Sequence, residues 1–190
     1  MLVVRDLLLG PKRFTDLRRG LPGIGTNVLA ARLQELERNG VVERRTLPPP
    51  AASTVYELTE YGRKLEGPLL ALGRWGALSM GTRGPEQALR SEWLAVALKA
   101  FFRPEEAADL EAEIELRFED GTFLARLDRG SLVVEPSSPN GADLVVTTDV
   151  ETLVGVLVGA APPRVLTSQG DDALLERLPQ IFAFGPLGEA

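Results

Sequence analysis

The 190-residue sequence contains neither cysteine nor histidine. The first absence excludes disulfides, thiolate nucleophiles and thiol-based redox sensing. The two together exclude zinc-finger ligand sets and every acid–base scheme that turns on imidazole. Asp and Glu are scattered rather than clustered, so neither a catalytic carboxylate pair nor an oxygen-ligand metal site stands out. No catalytic residue, metal, cofactor or enzymatic activity is therefore expected. No stretch approaches the roughly 18 apolar residues that a membrane span requires. The opening MLVVRDLLLG is apolar, but Asp6 interrupts it, and neither a basic leader nor a small-residue cleavage site flanks it. It does not read as a signal peptide, and a cytoplasmic protein is expected.

What is present is the composition of an ordinary globular chain, 44% hydrophobic and 25% charged. Its length fits two small domains of roughly 80 to 110 residues. The net charge of −6 is unevenly spread. Residues 1–80 hold 12 Lys and Arg against 8 Asp and Glu, whereas residues 81–190 hold 9 against 19. One half is suited to meeting a polyanion and the other is not.

In the first half, Leu2 to Leu9 read as a short helix ended by Gly10-Pro11. Phe14, Leu17 and Leu21 share a face of a second helix, with Thr15 as a possible N-cap, before Pro22-Gly23 breaks the chain. A third helix, capped by Gly25 or Thr26, carries the core stripe Leu29, Leu33 and Leu36 and stops at Asn39-Gly40. Two helices across a Gly-containing turn form a helix-turn-helix candidate. Val41–Arg45 and Thr54–Leu58 then read as two strands around a Pro-rich loop, which places a wing after the recognition helix. At about 100° per residue, Asn27, Ala31, Gln34 and Arg38 point away from the core stripe, Thr26 stands at the helix N-terminus, and Ala30 and Ala31 allow close approach. Asn and Gln suit adenine edges, and Arg44 and Arg45 on the wing suit phosphates. The candidate DNA-contacting set is Thr26, Asn27, Ala30, Ala31, Gln34, Arg38, Arg44 and Arg45. The alternative is that these are merely good exposed helix and strand residues. From Glu60 to Met80 a further helix carries Tyr61, Leu65, Leu69, Leu72, Trp75 and Leu78 at spacings of three and four, with a kink expected at Gly67-Pro68.

The run RDLLLGPKRFTDLRRGLPGIGTNVLAARLQELERNGVVERR, followed by VYELTEYGR and LLALGRWG, resembles the HxlR family of winged-helix regulators, relatives of the MarR type, over residues 1 to about 80. Arg5, Gly10, Arg13, Phe14, Leu17, Ile24, Leu29, Leu33, Leu36, Gly40, Leu58, Thr59 and Gly62 carry the resemblance. It implies binding to double-stranded DNA as a homodimer, with the helix after the wing packing on its partner's copy. Members of the family carry further helical sequence ahead of the point where this chain opens, so a shortened or rearranged dimer contact is expected.

Residues 81–87, Gly-Thr-Arg-Gly-Pro-rich, read as a linker between a domain at 1–80 and another at 88–190. A helix is expected over Glu86–Phe102. Leu110–Phe118 then alternates at period two, Asp120-Gly121 and Arg129-Gly130 turn it into strands at Phe123–Leu127 and Leu132–Glu135, and Asp143–Thr147 follows, for an antiparallel meander of four strands. Thr148-Asp149-Val150-Glu151 reads as a capping box for a helix Val150–Gly159 that is apolar nearly all round, either fully buried or lying against an apolar cavity. Asp171-Asp172 caps a last helix, Ala173–Leu178, with Phe182 and Phe184 beyond it. ADLVVTTDVETLVGVLVG and LTSQGDDALLERLPQIF, within this order of elements, resemble the sterol-carrier-protein-like fold over about 88–184. That implies a hydrophobic small-molecule or lipid ligand held by Val150, Leu153, Val154, Leu157 and Phe182. The expected class is α+β: a winged helix-turn-helix plus an antiparallel sheet with helices. The expected function is ligand-responsive transcription regulation; the alternatives are a lipid carrier whose winged helix mediates protein contacts, and an enzyme on a borrowed lipid-binding fold.

Overall fold

A computed structural model describes residues 1–49, 52–79, 90–137 and 141–184. The expected linker at 81–87 lies outside the described residues. The chain divides into two compact units, Met1–Leu72 and Gly73–Ala190.

The first unit runs α1 (Leu2–Leu7), α2 (Phe14–Gly20), α3 (Thr26–Arg38), the strands β1 (Val42–Thr46) and β2 (Thr54–Leu58), then α4 (Glu60–Arg63) and α5 (Glu66–Ser79), which continues past the unit's end. Val3, Val4, Leu7, Leu17, Leu21, Leu29, Leu33, Val41, Val42 and Leu58 form its core, with Phe14, Ile24, Leu36, Tyr56, Leu65 and Leu69 packed against it. The exit from α3 explains why the hairpin follows so tightly. Gly40 sits at φ +67°, the Gly40 N–H donates to the Glu37 carbonyl at 3.0 Å and the Val41 N–H to the Leu36 carbonyl at 2.9 Å. This Schellman arrangement satisfies the last carbonyls and turns the chain directly into β1. Thr59 locks the far end of the hairpin onto the same turn, its Oγ1 donating to the Gly40 carbonyl at 2.6 Å and accepting from the Gly62 N–H at 3.0 Å. Gly62 is obligatory there, because a Cβ would lie 2.0 Å from the Val41 carbonyl oxygen.

Three expectations change in this unit. Arg13, not Thr15, is the N-cap of α2, and no side chain caps it. The helix after the wing breaks at Lys64-Leu65 rather than Gly67-Pro68. Proline is tolerated in a first turn, where its missing N–H has no intrahelical partner, so Pro68 sits in the first turn of α5, which begins at Glu66, instead of kinking it. Lys12 also pairs with Tyr56, the two residues exchanging backbone hydrogen bonds of 2.9 and 2.8 Å, which adds a third, one-residue strand to the hairpin.

The second unit contains α6 (Ser91–Ala100), a 3-10 turn at Pro104–Ala107, β3 (Glu111–Phe118), β4 (Gly121–Asp128), β5 (Ser131–Pro136), β6 (Leu144–Thr147), α7 (Val150–Leu157), a 3-10 turn at Pro163–Val165, β7 (Thr167–Gly170) and α8 (Asp172–Ile181). The expected four-stranded antiparallel meander is a five-stranded mixed sheet in the order β5-β4-β3-β6-β7. β6 pairs parallel to β3, Ile114 opposite Leu144 and Leu116 opposite Val146. Its consecutive Leu144, Val145 and Val146 are all buried, as suits a strand covered on both faces. β7 pairs antiparallel to β6. Its sequence, Thr-Ser-Gln-Gly, has no apolar period to announce it. Gly170 there adopts φ +113°, and a Cβ on it would lie 2.0 Å from the Asp143 carbonyl oxygen.

The cap of α7 also shifts by a residue, whereas that of α8 falls where expected. Asp149, not Thr148, caps α7, its carboxylate accepting from the Thr152 N–H at 2.8 Å and the Thr152 hydroxyl at 2.7 Å. Those hydrogen bonds, the hydroxyl's first, hold the Asp149 carboxyl below the ordinary aspartate value. Asp171 caps α8 through the N–H groups of Ala173 and Leu174. α8 runs through Pro179 to Ile181, because Leu174, Leu175, Leu178 and Ile181 are all buried along one face and hold it past the residue where its sequence says stop.

Candidate nucleic-acid interface

The candidate interface lies on one helix and one hairpin. In α3, Leu29 and Leu33 are buried and Leu36 half-buried, which turns the opposite face outward. Thr26, Asn27, Ala31, Gln34 and Arg38 are exposed, and Ala30 is half-buried at the boundary of the packed face. Arg38 folds back along its own helix, its Nε donating to the Gln34 carbonyl at 3.4 Å.

Three residues that the helical wheel set aside belong to the same surface. Asn27, Val28, Ala31, Arg32 and Glu35 line one shallow groove. Val28 is 55% exposed. It reads as core because it is apolar, yet it stands about 100° from Leu29, off the core stripe and on the side of Ala31 and Glu35. Arg32 lies nearer the core stripe by angle, but its long side chain carries the guanidinium outward. There it meets Glu35 at 2.7 Å.

On the hairpin, Arg44 faces Tyr56 and Arg45 faces Val55, so the two guanidinium groups project from opposite faces. Both are exposed, but only Arg45 is engaged: its Nε lies 2.7 Å and its Nη2 3.1 Å from the two carboxylate oxygens of Glu57. Arg44 has no ion-pair partner among the described residues. Arg13, at the start of α2, donates from Nε to the Ser53 hydroxyl at 3.1 Å, which ties the wing loop to the helix-turn-helix. Arg18 on α2 is also exposed. Neither belongs to the candidate DNA-contacting set, because the sequence of α2 signals only its core face.

The helix after the wing is divided in use. Leu65 and Leu69 pack on the first unit's core, whereas Tyr61 is 64% exposed, Leu72 50% and Trp75 66%. The Leu78 side chain lies outside the described set. In the second unit, Val150, Leu153 and Leu157 of α7 and Phe182 after α8 are buried, and Val154 is half-buried. The Phe184 N–H reaches the Leu157 carbonyl at 3.4 Å, Phe182 bridges Phe102 and Phe184 stacks on Phe101 at 4.6 Å. Phe101 and Phe102 thus join the aromatic set that the sequence reading began at Phe182. Among the described residues no helix is long and apolar enough to cross a membrane.

A family model described as HxlR-like helix-turn-helix matches residues 1–83. The chain is 39% identical over 74 residues to the HTH-type transcriptional regulator YodB of Bacillus subtilis (strain 168), covering 39% of this chain and 66%, just under two thirds, of that relative. It is 38% identical over 74 residues to the uncharacterized HTH-type transcriptional regulator YvaP of the same organism, covering 39% of this chain and 68% of that one. The reduced form of YodB aligns in three dimensions at 35% identity with a TM-score of 0.39, covering 44% of this chain and 81% of that chain.

Proposed function

Because the chain belongs to the HxlR-like helix-turn-helix family through its first 83 residues, we propose that it is a transcription regulator that binds duplex DNA as a homodimer and whose C-terminal unit senses an apolar effector. The observation that carries DNA binding is the outward face of α3, largely polar or small from Thr26 to Arg38, standing beside a hairpin whose exposed Arg44 has no ion-pair partner among the described residues. A helix of this kind enters the major groove while a wing reaches the backbone. The exposed Tyr61, Leu72 and Trp75 supply an apolar surface for a second copy. The effector domain is proposed as sterol-carrier-like, with Val150, Leu153, Val154, Leu157 and Phe182 around the ligand. The support is a capped, largely apolar α7 in a unit that also contains a five-stranded sheet.

Fluorescence anisotropy on the DNA upstream of the chain's own gene, titrated across salt, tests the first part. Affinity that falls linearly in log–log form supports it, since each neutralised phosphate releases counterions. Salt-independent binding, or none, refutes it. Native mass spectrometry of the purified chain tests the second: a retained apolar molecule whose removal changes operator affinity supports an effector, and one that leaves affinity unchanged refutes it.

A further inference from the structure

We propose that the base pairs lying under the first two turns of α3 are adenine–thymine pairs, with Asn27 on an adenine edge and Val28 and Ala31 against thymine methyl groups; this rests on the DNA-binding reading above. In the major groove the four base pairs present different chemistry. Thymine alone offers a methyl group, adenine offers the N6 donor beside the N7 acceptor that a carboxamide matches, and guanine offers two acceptors that call for a cation. The exposed side chains from Thr26 to Arg32 are Thr26, Asn27, Val28, Ala31 and Arg32. Two of these are purely apolar, one is a carboxamide and one is a cation.

Val28 is the informative member. It carries an aliphatic side chain that is 55% exposed on a helix whose core stripe is formed by Leu29, Leu33 and Leu36, so about half of its apolar surface is left facing outward. It shares one groove with Asn27 and Ala31; Ala31 lies three residues from Val28 and four from Asn27, so it neighbours both on the helix surface and a single base step can meet the amide and both apolar surfaces. The lone cation of these turns, Arg32, is held at 2.7 Å by the Glu35 carboxylate on the flank of that groove. A guanine under these turns would lack a free cation, and a cytosine amino group would face methyl groups.

Selection of binding duplexes from a random library by the full-length chain, followed by base-analogue substitution in the selected site, tests this. Uracil for thymine deletes only the methyl, and 7-deazaadenine for adenine deletes only the N7 acceptor. The selected half-sites are expected to contain a position where uracil weakens wild-type binding about fourfold, the factor for one buried methyl-sized group, while Val28→Ala is insensitive. They are expected to contain an adjacent adenine where the deaza analogue costs about 5- to 150-fold, the range of a good base-edge contact, in wild type but not in Asn27→Ala. Both variants should keep the wild-type salt slope on random DNA, which shows that they remain folded. Selected sites with G·C at these positions, or full tolerance of uracil throughout, overturn the inference and leave DNA binding intact. Failure to select any duplex overturns the DNA-binding reading and this inference with it.

Discussion

The two wing arginines should differ in a way that only their surroundings explain. A protein that neutralises Z phosphates loses affinity with a log–log salt slope of about −0.9Z, so each contact contributes a factor of about 3.5 between 50 and 200 mM salt. Arg44 is exposed and has no ion-pair partner among the described residues, and Arg44→Ala should therefore flatten the slope by about 0.9 on operator and random DNA alike. Arg45 is held by both carboxylate oxygens of Glu57, which is only 12% exposed. To reach a phosphate it must exchange one anion for another, so Arg45→Ala should change the slope by clearly less. Glu57→Gln releases Arg45 and should raise affinity and steepen the slope. Arg129, paired with Glu111 and Asp128 on the second unit's sheet, is the control, and Arg129→Ala should leave the slope unchanged. Fluorescence anisotropy from 50 to 200 mM salt reads all four. Identical slopes for Arg44→Ala and wild type would refute the wing as a phosphate contact, and equal losses for both arginines would refute the shielding by Glu57.

Trp75→Glu on the exposed face of α5 should shift the chain toward monomer in light scattering, with the dimer weakened by about 2 kcal/mol or more, the scale of an aromatic hot spot; an unchanged dimer mass would place the interface elsewhere. Gly62→Ala forces a Cβ to 2.0 Å from the Val41 oxygen and should cost about 1–3 kcal/mol, a fall of several degrees in Tm; a wild-type melting curve would mean that the turn is not fixed by this approach. Asp149→Ala removes the α7 cap and should cost about 0.5–2 kcal/mol at neutral pH. Because hydrogen bonds from Thr152 lower the native Asp149 pKa, this contribution is fully present above the unfolded aspartate value of about 3.9 and fades as pH falls through the lowered native one. Denaturant melts at pH 7 and in that acid window should show the wild-type advantage shrinking; a constant difference would sever it from the carboxylate.

Much of the first unit was legible because its information is local. The Leu29, Leu33, Leu36 stripe, the Asn39-Gly40 stop and the two strands around Pro48–Pro50 each show within a few residues, and the structure contains α3, its turn and the hairpin where those signals lie. What escaped is what depends on a partner distant in sequence. Nothing near Arg45 reveals Glu57, and nothing near Lys12 reveals that it pairs with Tyr56. Val28 and Arg32 were set aside for a different reason. The wheel assigns faces by residue type and angle, and an exposed valine and a long arginine each violate one of those assumptions.

The second unit was less legible because its decisive facts are relations between segments. Alternation along β3 predicts a half-buried strand but carries no direction for its neighbours, so the sequence suggests an antiparallel β6 where the structure has a parallel one. Its unbroken apolar run was the available clue, because a strand buried on both faces has no reason to alternate. The same ambiguity governs the ligand residues. A helix that is apolar nearly all round has one sequence pattern whether its side chains meet other side chains or a bound apolar molecule, since both remove the same surface from water. Periodicity can place Val150, Leu153, Leu157 and Phe182 inside, where they are, but only the response to an added ligand separates core from pocket. The proposed DNA contacts meet a parallel ambiguity, because a polyanion calls for exposed cations and amides on the outside of a fold and an ordinary solvated surface carries the same residues, so the response to added DNA separates the two. What favours the proposed interface on α3 and the hairpin over any effector site in the second unit is the family match, which covers residues 1–83 and not the second unit's sheet.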